Sequence, residues 1–341
     1  MKLRGAISGF GEVAARAHLP GWRTRPNLTI GIVHDPVANR RHEAIRLING
    51  VRVYDDLILM LDGEAPSFVD VASPPAFHVA AARMALAAGA HVLIEKPMCL
   101  TAAEFGELTS LAAAGGRVLM CVHNWKFAPA YVAAHKAIES GRVGKVTSIS
   151  FDRLRTGPAG AGGSGSQWRA AAASGGGILI DHGWHVFYLM QWLLGGAVPL
   201  AVSARIESTG NAGVDDKADV RVEFLDGVIA EAHMSWRAAV RRTSALISCE
   251  GGSLEVESDR VILTGRGGAS EELPIADIPD DSYHSAWFAG VAEQFEAAIN
   301  AGPASPAPRT NLAEARAALA IILASRESSS KGGAQVAAFE K

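Results

Sequence analysis

Six residues near the start of the chain limit its fold more than any other feature. Gly9-Phe10-Gly11-Glu12-Val13-Ala14 follows an apolar run at 3–8 and leads into a helical pattern at 12–25. In this G-x-G-x-x-A spacing the first glycine suits a tight strand-to-helix turn. The second lets backbone approach a ligand, and the small sixth residue lets helix and strand pack closely. The helix start would turn N–H groups and a positive dipole end toward a pyrophosphate. Further apolar runs at 28–34, 68–72, 91–95 and 117–122 alternate with helical patterns at 38–48, 76–88 and 102–114. Such alternation predicts a doubly wound parallel sheet. Thr101-Ala102-Ala103-Glu104 has the spacing of a capping box at the start of the last of these helices.

Asp35 ends the second apolar run, 21 residues after Ala14. A carboxylate there would accept hydrogen bonds from the adenosine ribose hydroxyls. The first part of the chain, 1–123, therefore reads as a dinucleotide-binding Rossmann domain, with Gly9, Phe10, Gly11, Glu12, Val13 and Asp35 at the cofactor. Asp35 favours NAD, because it repels a 2′-phosphate, while Arg40 and Arg41 nearby leave NADP possible.

The remainder, 124–341, has a different pattern and is expected to be one α+β domain for substrate binding and oligomerisation. A helix at 129–140 and a strand at 145–152 precede a glycine-rich stretch at 157–166, which reads as a mobile lid. A helix follows near 181–194. Strands at 201–208, 219–224, 228–235, 244–249, 254–257 and 261–264 then come without helices between them, which argues for a large, mostly antiparallel sheet. Asp226-Gly227 marks a hairpin between two of them. Helical patterns at 286–300 and 311–328 flank a Pro-rich linker at 303–308. The strand-rich segment needs cover on both faces. Val220, Val222, Phe224, Met234 and Trp236 are the expected apolar face for a partner sheet, so a homodimer or homotetramer is predicted.

Composition sets the outer limits. With 341 residues, two domains are natural, and 49% hydrophobic against 20% charged residues suits a large buried core. The net charge of -3, without a dense Lys/Arg tract, gives no reason to expect a nucleic-acid partner. Cys99, Cys121 and Cys249 lie far apart and form no C-x-x-C pair, so neither a zinc site nor a disulfide framework is expected. The opening segment is too short an apolar run for a signal peptide, and no apolar stretch has transmembrane length. A cytoplasmic protein without a membrane partner is the resulting expectation.

Three more segments narrow the field: Ser73-Pro74-Pro75-Ala76-Phe77-His78 after the strand at 68–72, Glu95-Lys96-Pro97 at the end of the next, and Gly175-Gly176-Gly177-Ile178-Leu179-Ile180-Asp181-His182-Gly183-Trp184-His185 in the second half. With the N-terminal fingerprint they resemble the Gfo/Idh/MocA family, named after glucose–fructose oxidoreductase and inositol dehydrogenase. The resemblance extends over nearly the whole chain. It implies a Rossmann domain joined to an open, mostly antiparallel sheet, and sugars, cyclitols or related polyols as substrates. It also implies that Lys96, Asp181 and His185 surround the reacting carbon, and it places Ser73, Pro74, His78, Glu95 and Lys96 at the cofactor. Two departures stand out. Tyr188 occupies a position where many members carry Asp, and Asn124-Trp125-Lys126-Phe127 stands where N-x-R-F is common.

The residue types suit that chemistry. Alcohol oxidation needs a group to take the hydroxyl proton, and a histidine titrates near working pH. Asp181 and His185, four apart, would share a helix face. Lys96 at the carboxyl end of a parallel strand can stabilise a developing alkoxide. Asn124, Lys126, Trp168, His182 and His284 are further substrate candidates, and Trp168 and Arg169 could also reach the cofactor. His182 and His185 lack a third ligand of convincing spacing, so no metal is expected. The alternative functions are an NAD-dependent glycosidase or lyase using transient redox, or a sugar-sensing regulator without chemistry.

Overall fold

Residues 2–158, 167–171, 175–209, 213–276 and 283–339 are described by the computed structural model. Strand β1 (Leu3–Ser8) passes through the glycine turn into a π-helical turn, Ala14–His18, which continues as α1 (Leu19–Arg23). Then come β2 (Leu28–His34), α2 (Ala38–Leu47), β3 (Arg52–Tyr54), α3 (Leu57–Glu64), β4 (Phe68–Val71), α4 (His78–Ala87), β5 (His91–Ile94), α5 (Ala102–Gly115) and β6 (Leu119–Cys121). A short turn at Asn124–Phe127 precedes α6 (Pro129–Glu139) and β7 (Val146–Leu154). A second π-helical turn, Leu179–Gly183, runs into α7 (Trp184–Leu193). The later elements are β8 (Pro199–Glu207), β9 (Lys217–Phe224), β10 (Ile229–Ser235), β11 (Arg242–Cys249), β12 (Gly252–Glu257), β13 (Val261–Gly265), β14 (Ser270–Glu272), α8 (Ser285–Ala301), α9 (Pro306–Ser330) and β15 (Val336–Ala337).

The elements fall into two units. The first, Met1–Phe127 with Pro279–Ala313, holds a wholly parallel six-stranded sheet in the order β3-β2-β1-β4-β5-β6. This is the doubly wound arrangement expected of 3–122, with β1 and β4 adjacent at the point where strand order reverses. The expected capping box is formed. Thr101 Oγ1 accepts from the Glu104 N–H at 3.2 Å, and Glu104 Oε2 accepts from the Thr101 N–H at 3.0 Å. The β3–α3 hairpin of structure was not anticipated, because Arg52 and Asp55-Asp56 interrupt the apolar signal; Asp56 caps α3 by accepting from the Leu59 N–H.

The division at 123/124 with everything later in the second domain does not hold. The Asn124–Phe127 turn and α8 belong to the first unit. Helix α8 carries Phe288, Val291, Ala292 and Phe295 into the same core as Ile7, Trp22, Phe68 and Leu93, where the phenylalanines are at most 1% exposed. Burying such a side chain contributes roughly 1.5–3 kcal/mol. Its apolar periodicity was readable; its destination was not, since periodicity identifies a buried face but not the partner.

The second unit, Ala128–Ile278 with Glu314–Lys341, is built on a nine-stranded sheet in the order β14-β13-β12-β11-β7-β10-β9-β8-β15. Only β7 and β10 run parallel; the other neighbours are antiparallel. The hairpin at Asp226-Gly227 joins β9 to β10 as expected, with Gly227 at φ 84°. Strict alternation on β9 buries Ala218, Val220, Val222 and Phe224 and leaves Lys217, Asp219, Arg221 and Glu223 on the other side. Helix α6 and the 179–183 turn lie against this sheet. Val220, Val222, Phe224, Met234 and Trp236 are thus buried inside the chain, at 5% exposure or less. They do not form the partner-seeking face expected of them. The open face is charged, with Asp219, Arg221, Glu231 and His233. Residues 159–166 of the expected lid lie outside the described residues.

Candidate functional site

In the first unit the fingerprint makes the turn its spacing requires. Gly9 has φ 93°, and a Cβ there would sit 2.5 Å from the Ser73 backbone, so only glycine fits. At Gly11 an added Cβ would meet nothing within 4 Å, which leaves open space over the backbone at the start of the helix, as a pyrophosphate needs. Phe10 is fully buried and Val13 is exposed. Asp35, 7% exposed, accepts the Phe10 N–H and the Val37 N–H at 2.8 Å each, one on either oxygen. The carboxylate that would read the ribose therefore also ties the glycine turn to the end of β2. Arg40 is engaged by Glu12 at 3.1 Å and Glu43 at 3.3 Å, and Arg41 donates to the Asp35 carbonyl at 2.7 Å. Both arginines thus have oxygen partners within the chain. Glu12 also pairs with Arg16 at 2.6 Å, and these contacts hold its carboxyl below the usual range. The turn, the open backbone and the ribose carboxylate fit an NAD molecule.

The Ser73–His78 segment is held by its histidine. His78 is buried, and its ring nitrogens face the carbonyls of Pro97 at 2.7 Å and Ser73 at 2.6 Å. Burial pushes its pKa down. It fastens the loop bearing Ser73 and Pro74 to the Lys96-Pro97 segment, whose peptide bond is cis. Glu95 likewise turns onto protein: Oε1 lies 3.0 Å from His18 Nε2, and Oε2 accepts the Lys96 N–H at 2.9 Å. Lys96 itself is half-buried at the carboxyl end of β5.

The turn at Asn124–Phe127 and the start of α8 come together in this same unit. Trp125 packs edge-on against Trp287 at 5.6 Å, and His284 stacks on Trp287 at 3.7 Å. His284 has φ 55°, an uncommon conformation for a residue with a side chain. Asn124 and Lys126 are half-buried in the turn.

In the second unit Asp181 lies in the π-helical turn and His185 in the first turn of α7. A π-helical turn at functional positions is a recurrent feature. Asp181 is 4% exposed and pairs with the Arg169 Nε at 3.1 Å; His182 Nε2 is 3.8 Å from the same oxygen. Arg169 stacks over Trp168 at 4.6 Å. His185 is buried, with Nδ1 2.9 Å from the hydroxyl of the fully buried Tyr188. Tyr188 thus fills the departure from the family pattern by contacting the histidine it follows. The glycine run has a local cause. Gly177 has φ 114°, and a Cβ would fall 2.3 Å from the Asp215 carboxylate. Asp215 accepts the Leu179 N–H at 2.6 Å through its side chain and the Ile178 N–H at 2.9 Å through its carbonyl. Burial raises the Asp215 pKa. Asp215, and His18 in the first unit, carried no sequence signal: each is defined by partners tens of residues away.

A glycine-turn Rossmann unit together with an open, mostly antiparallel sheet unit defines a two-domain, nicotinamide-dependent oxidoreductase. Residues 3–123 match the model of an oxidoreductase family with an NAD-binding Rossmann fold, and residues 131–255 match the GFO/IDH/MocA C-terminal domain. The chain belongs to the GFO/IDH/MocA family, as an NAD(P)-dependent dehydrogenase acting on CH–OH groups. It is 28% identical to the D-glucoside 3-dehydrogenase of Escherichia coli over 83% of this chain and 84% of that one. It is 25% identical to the D-apiose dehydrogenase of Paraburkholderia graminis over 96% and 88%. Among solved structures, GenD2 from gentamicin A biosynthesis, in complex with NAD, superposes with a TM-score of 0.82 at 26% identity, covering 98% of this chain and 96% of that one. Levoglucosan dehydrogenase, in complex with NADH and levoglucosan, shares the fold with a TM-score of 0.85 at 20% identity over both whole chains.

Proposed function

We propose that this chain interconverts a hydroxyl and a ketone on a sugar, cyclitol or related polyol, with Lys96 and His185 handling the proton. The observation that carries the reading is the local support of each group. Lys96 follows a carboxylate that grips its own backbone, and His185 has one ring nitrogen engaged by Tyr188. The Nδ1–Tyr188 contact fixes the ring orientation, and the imidazole is the group in this reading that takes the hydroxyl proton. Asp181, held by Arg169, lies in the same segment and orients substrate or imidazole. Lys96 supplies a cation for the developing alkoxide. Bound NAD supplies the hydride acceptor. The sugar and glycoside substrates in the names of the relatives support the substrate class.

Asp35, together with the occupied arginines, supports NAD over NADP. A homodimer or homotetramer is part of the reading: the open sheet face, with charges of both signs on Asp219, Arg221, Glu231 and His233, is the surface offered to a second copy. Light scattering at 35.7 kDa at micromolar concentration would contradict it. Among the described residues no helix is long and apolar enough to cross a membrane. A cytoplasmic location remains our reading of the sparse, separated cysteines. The activity is tested by following NADH formation with purified protein and NAD against a panel of polyols and free sugars, in parallel with Lys96→Ala and His185→Ala. Turnover in the wild type and its loss in both variants is the expected result. Undiminished turnover in both variants would overturn the assignment of the proton to these groups.

A further inference from the structure

Beneath the end of β5 lies a buried charged cluster that the reaction as described does not use. His18 closes the first π-helical turn, with its ring 1% exposed. Nδ1 is 2.9 Å from Asp70 Oδ2 on β4, and Nε2 is 3.0 Å from Glu95 Oε1. The Trp22 indole N–H donates to the same Asp70 oxygen at 2.7 Å, and Phe288 covers the imidazole face at 3.8 Å with 14° between the planes. An ionised carboxylate only accepts hydrogen bonds. Two carboxylates on two ring nitrogens therefore require two N–H groups, which makes His18 an imidazolium. Its pKa agrees: burial opposes the charge, but Asp70 and then Glu95 outweigh burial and raise it from 6.5 to about 9. Burial also opposes the charge on Glu95, yet His18 first, then Lys96 and His78, hold its carboxyl below the ordinary value. Glu95 is thus gripped on one oxygen by His18 and on the other by the Lys96 backbone.

We propose that His18 is a positioning residue for Lys96: it fixes the Glu95 carboxylate against the Lys96 backbone and offsets one of the two carboxylate charges behind the lysine. The proposal rests on the catalytic assignment of Lys96 above. Asp70 and Glu95 together carry two negative charges, and only one is offset by His18. Removing the imidazolium leaves both carboxylates uncompensated, so Lys96 binds its proton more tightly. Removing the Glu95 charge has the opposite effect. The groups facing His18 are Asp70 from β4, Glu95 beyond β5, Trp22 from α1 and Phe288 from α8; those acting on Glu95 include Lys96 and His78.

Two readouts test this. In intact protein labelled with 15N-histidine, the signal absent from His18→Gln should show both ring nitrogens protonated up to about pH 8, whether or not substrate turns over. A neutral His18 at pH 7 would overturn the proposal. In the pH profile of kcat/KM, His18→Gln should move the limb that depends on Lys96 upward by about one pH unit, a tenfold rate change on that limb, and Glu95→Gln should move it downward. NADH affinity should change by no more than about threefold in either variant. Folded variants with an unmoved limb would refute the coupling. Should His18→Gln fail to fold, Glu95→Gln and the wild-type titration decide between the outcomes. An active Lys96→Ala enzyme with a charged His18 would instead locate the error in the role given to Lys96.

Discussion

Replacing Asp35 by serine tests how one buried carboxylate serves two tasks. In the structure each oxygen accepts a backbone N–H at 2.8 Å, from Phe10 in the glycine turn and from Val37 at the start of α2. A hydrogen bond to a charged group contributes about 1.5–3 kcal/mol. Serine can replace one of the two acceptors, so Asp35→Ser should cost about 2 kcal/mol of stability. The same change removes the charge that repels a 2′-phosphate. Arg40 stays paired with Glu12 and Glu43, so the gain comes from the lost repulsion rather than from a freed arginine. The ratio of kcat/KM with NADP to that with NAD should rise at least about tenfold, roughly 1.4 kcal/mol of differential binding. The assay is initial rate against each cofactor with one substrate, with urea denaturation for stability. An unchanged ratio, or a wild-type protein that prefers NADP, would refute this placement of Asp35.

Other perturbations follow from the same geometry. Gly9→Ala forces a Cβ to 2.5 Å from the Ser73 backbone at φ 93°, so NADH affinity, read by fluorescence, should fall at least about tenfold. Gly177→Ala should displace the Asp215 carboxylate and lower melting temperature by several degrees, an outcome calorimetry checks. Under the proposed roles of Lys96 and His185 at the substrate proton, Lys96→Ala and His185→Ala should each lower kcat by about a hundredfold or more while NADH binding changes a few-fold. His18 is charged in the folded protein up to about pH 9 but in the unfolded chain only below 6.5. Its contribution is therefore whole below pH 6.5 and fades as pH rises toward 9, by up to about 3 kcal/mol. Denaturation midpoints across that window should show the loss in the wild type and a flatter profile in His18→Gln.

The parts legible in the sequence are those written in local spacing. β1 and β2 carry the expected bounds, and the Thr101/Glu104 box and the Asp226-Gly227 hairpin form as their residues require. Glycine spacing gave the turn at Gly9, because that turn depends on four consecutive residues. Tertiary destination was illegible. Helix α8 read correctly as a helix yet joins the Rossmann core, and the alternating face of β9 read correctly as apolar yet is covered within the chain. The candidate site divides the same way. Motif spacing offered Lys96, Asp181 and His185 as candidates, whereas His18, Asp70 and Asp215 support their surroundings through bonds spanning 36 to 77 residues. The protein partners of His78 and Glu95, both expected at the cofactor, had no signal in the sequence. No periodicity distinguishes those outcomes.

The most direct measurement uses whichever sugar or polyol in the panel reacts, carrying deuterium on the carbinol carbon. Mass spectrometry of the cofactor and product after incubation with NAD should show one deuterium in the NADH and one equivalent of ketone for each NADH formed. Release of a cleaved or eliminated product without net NADH, or NADH lacking the label, would contradict net dehydrogenation of a hydroxyl by this chain.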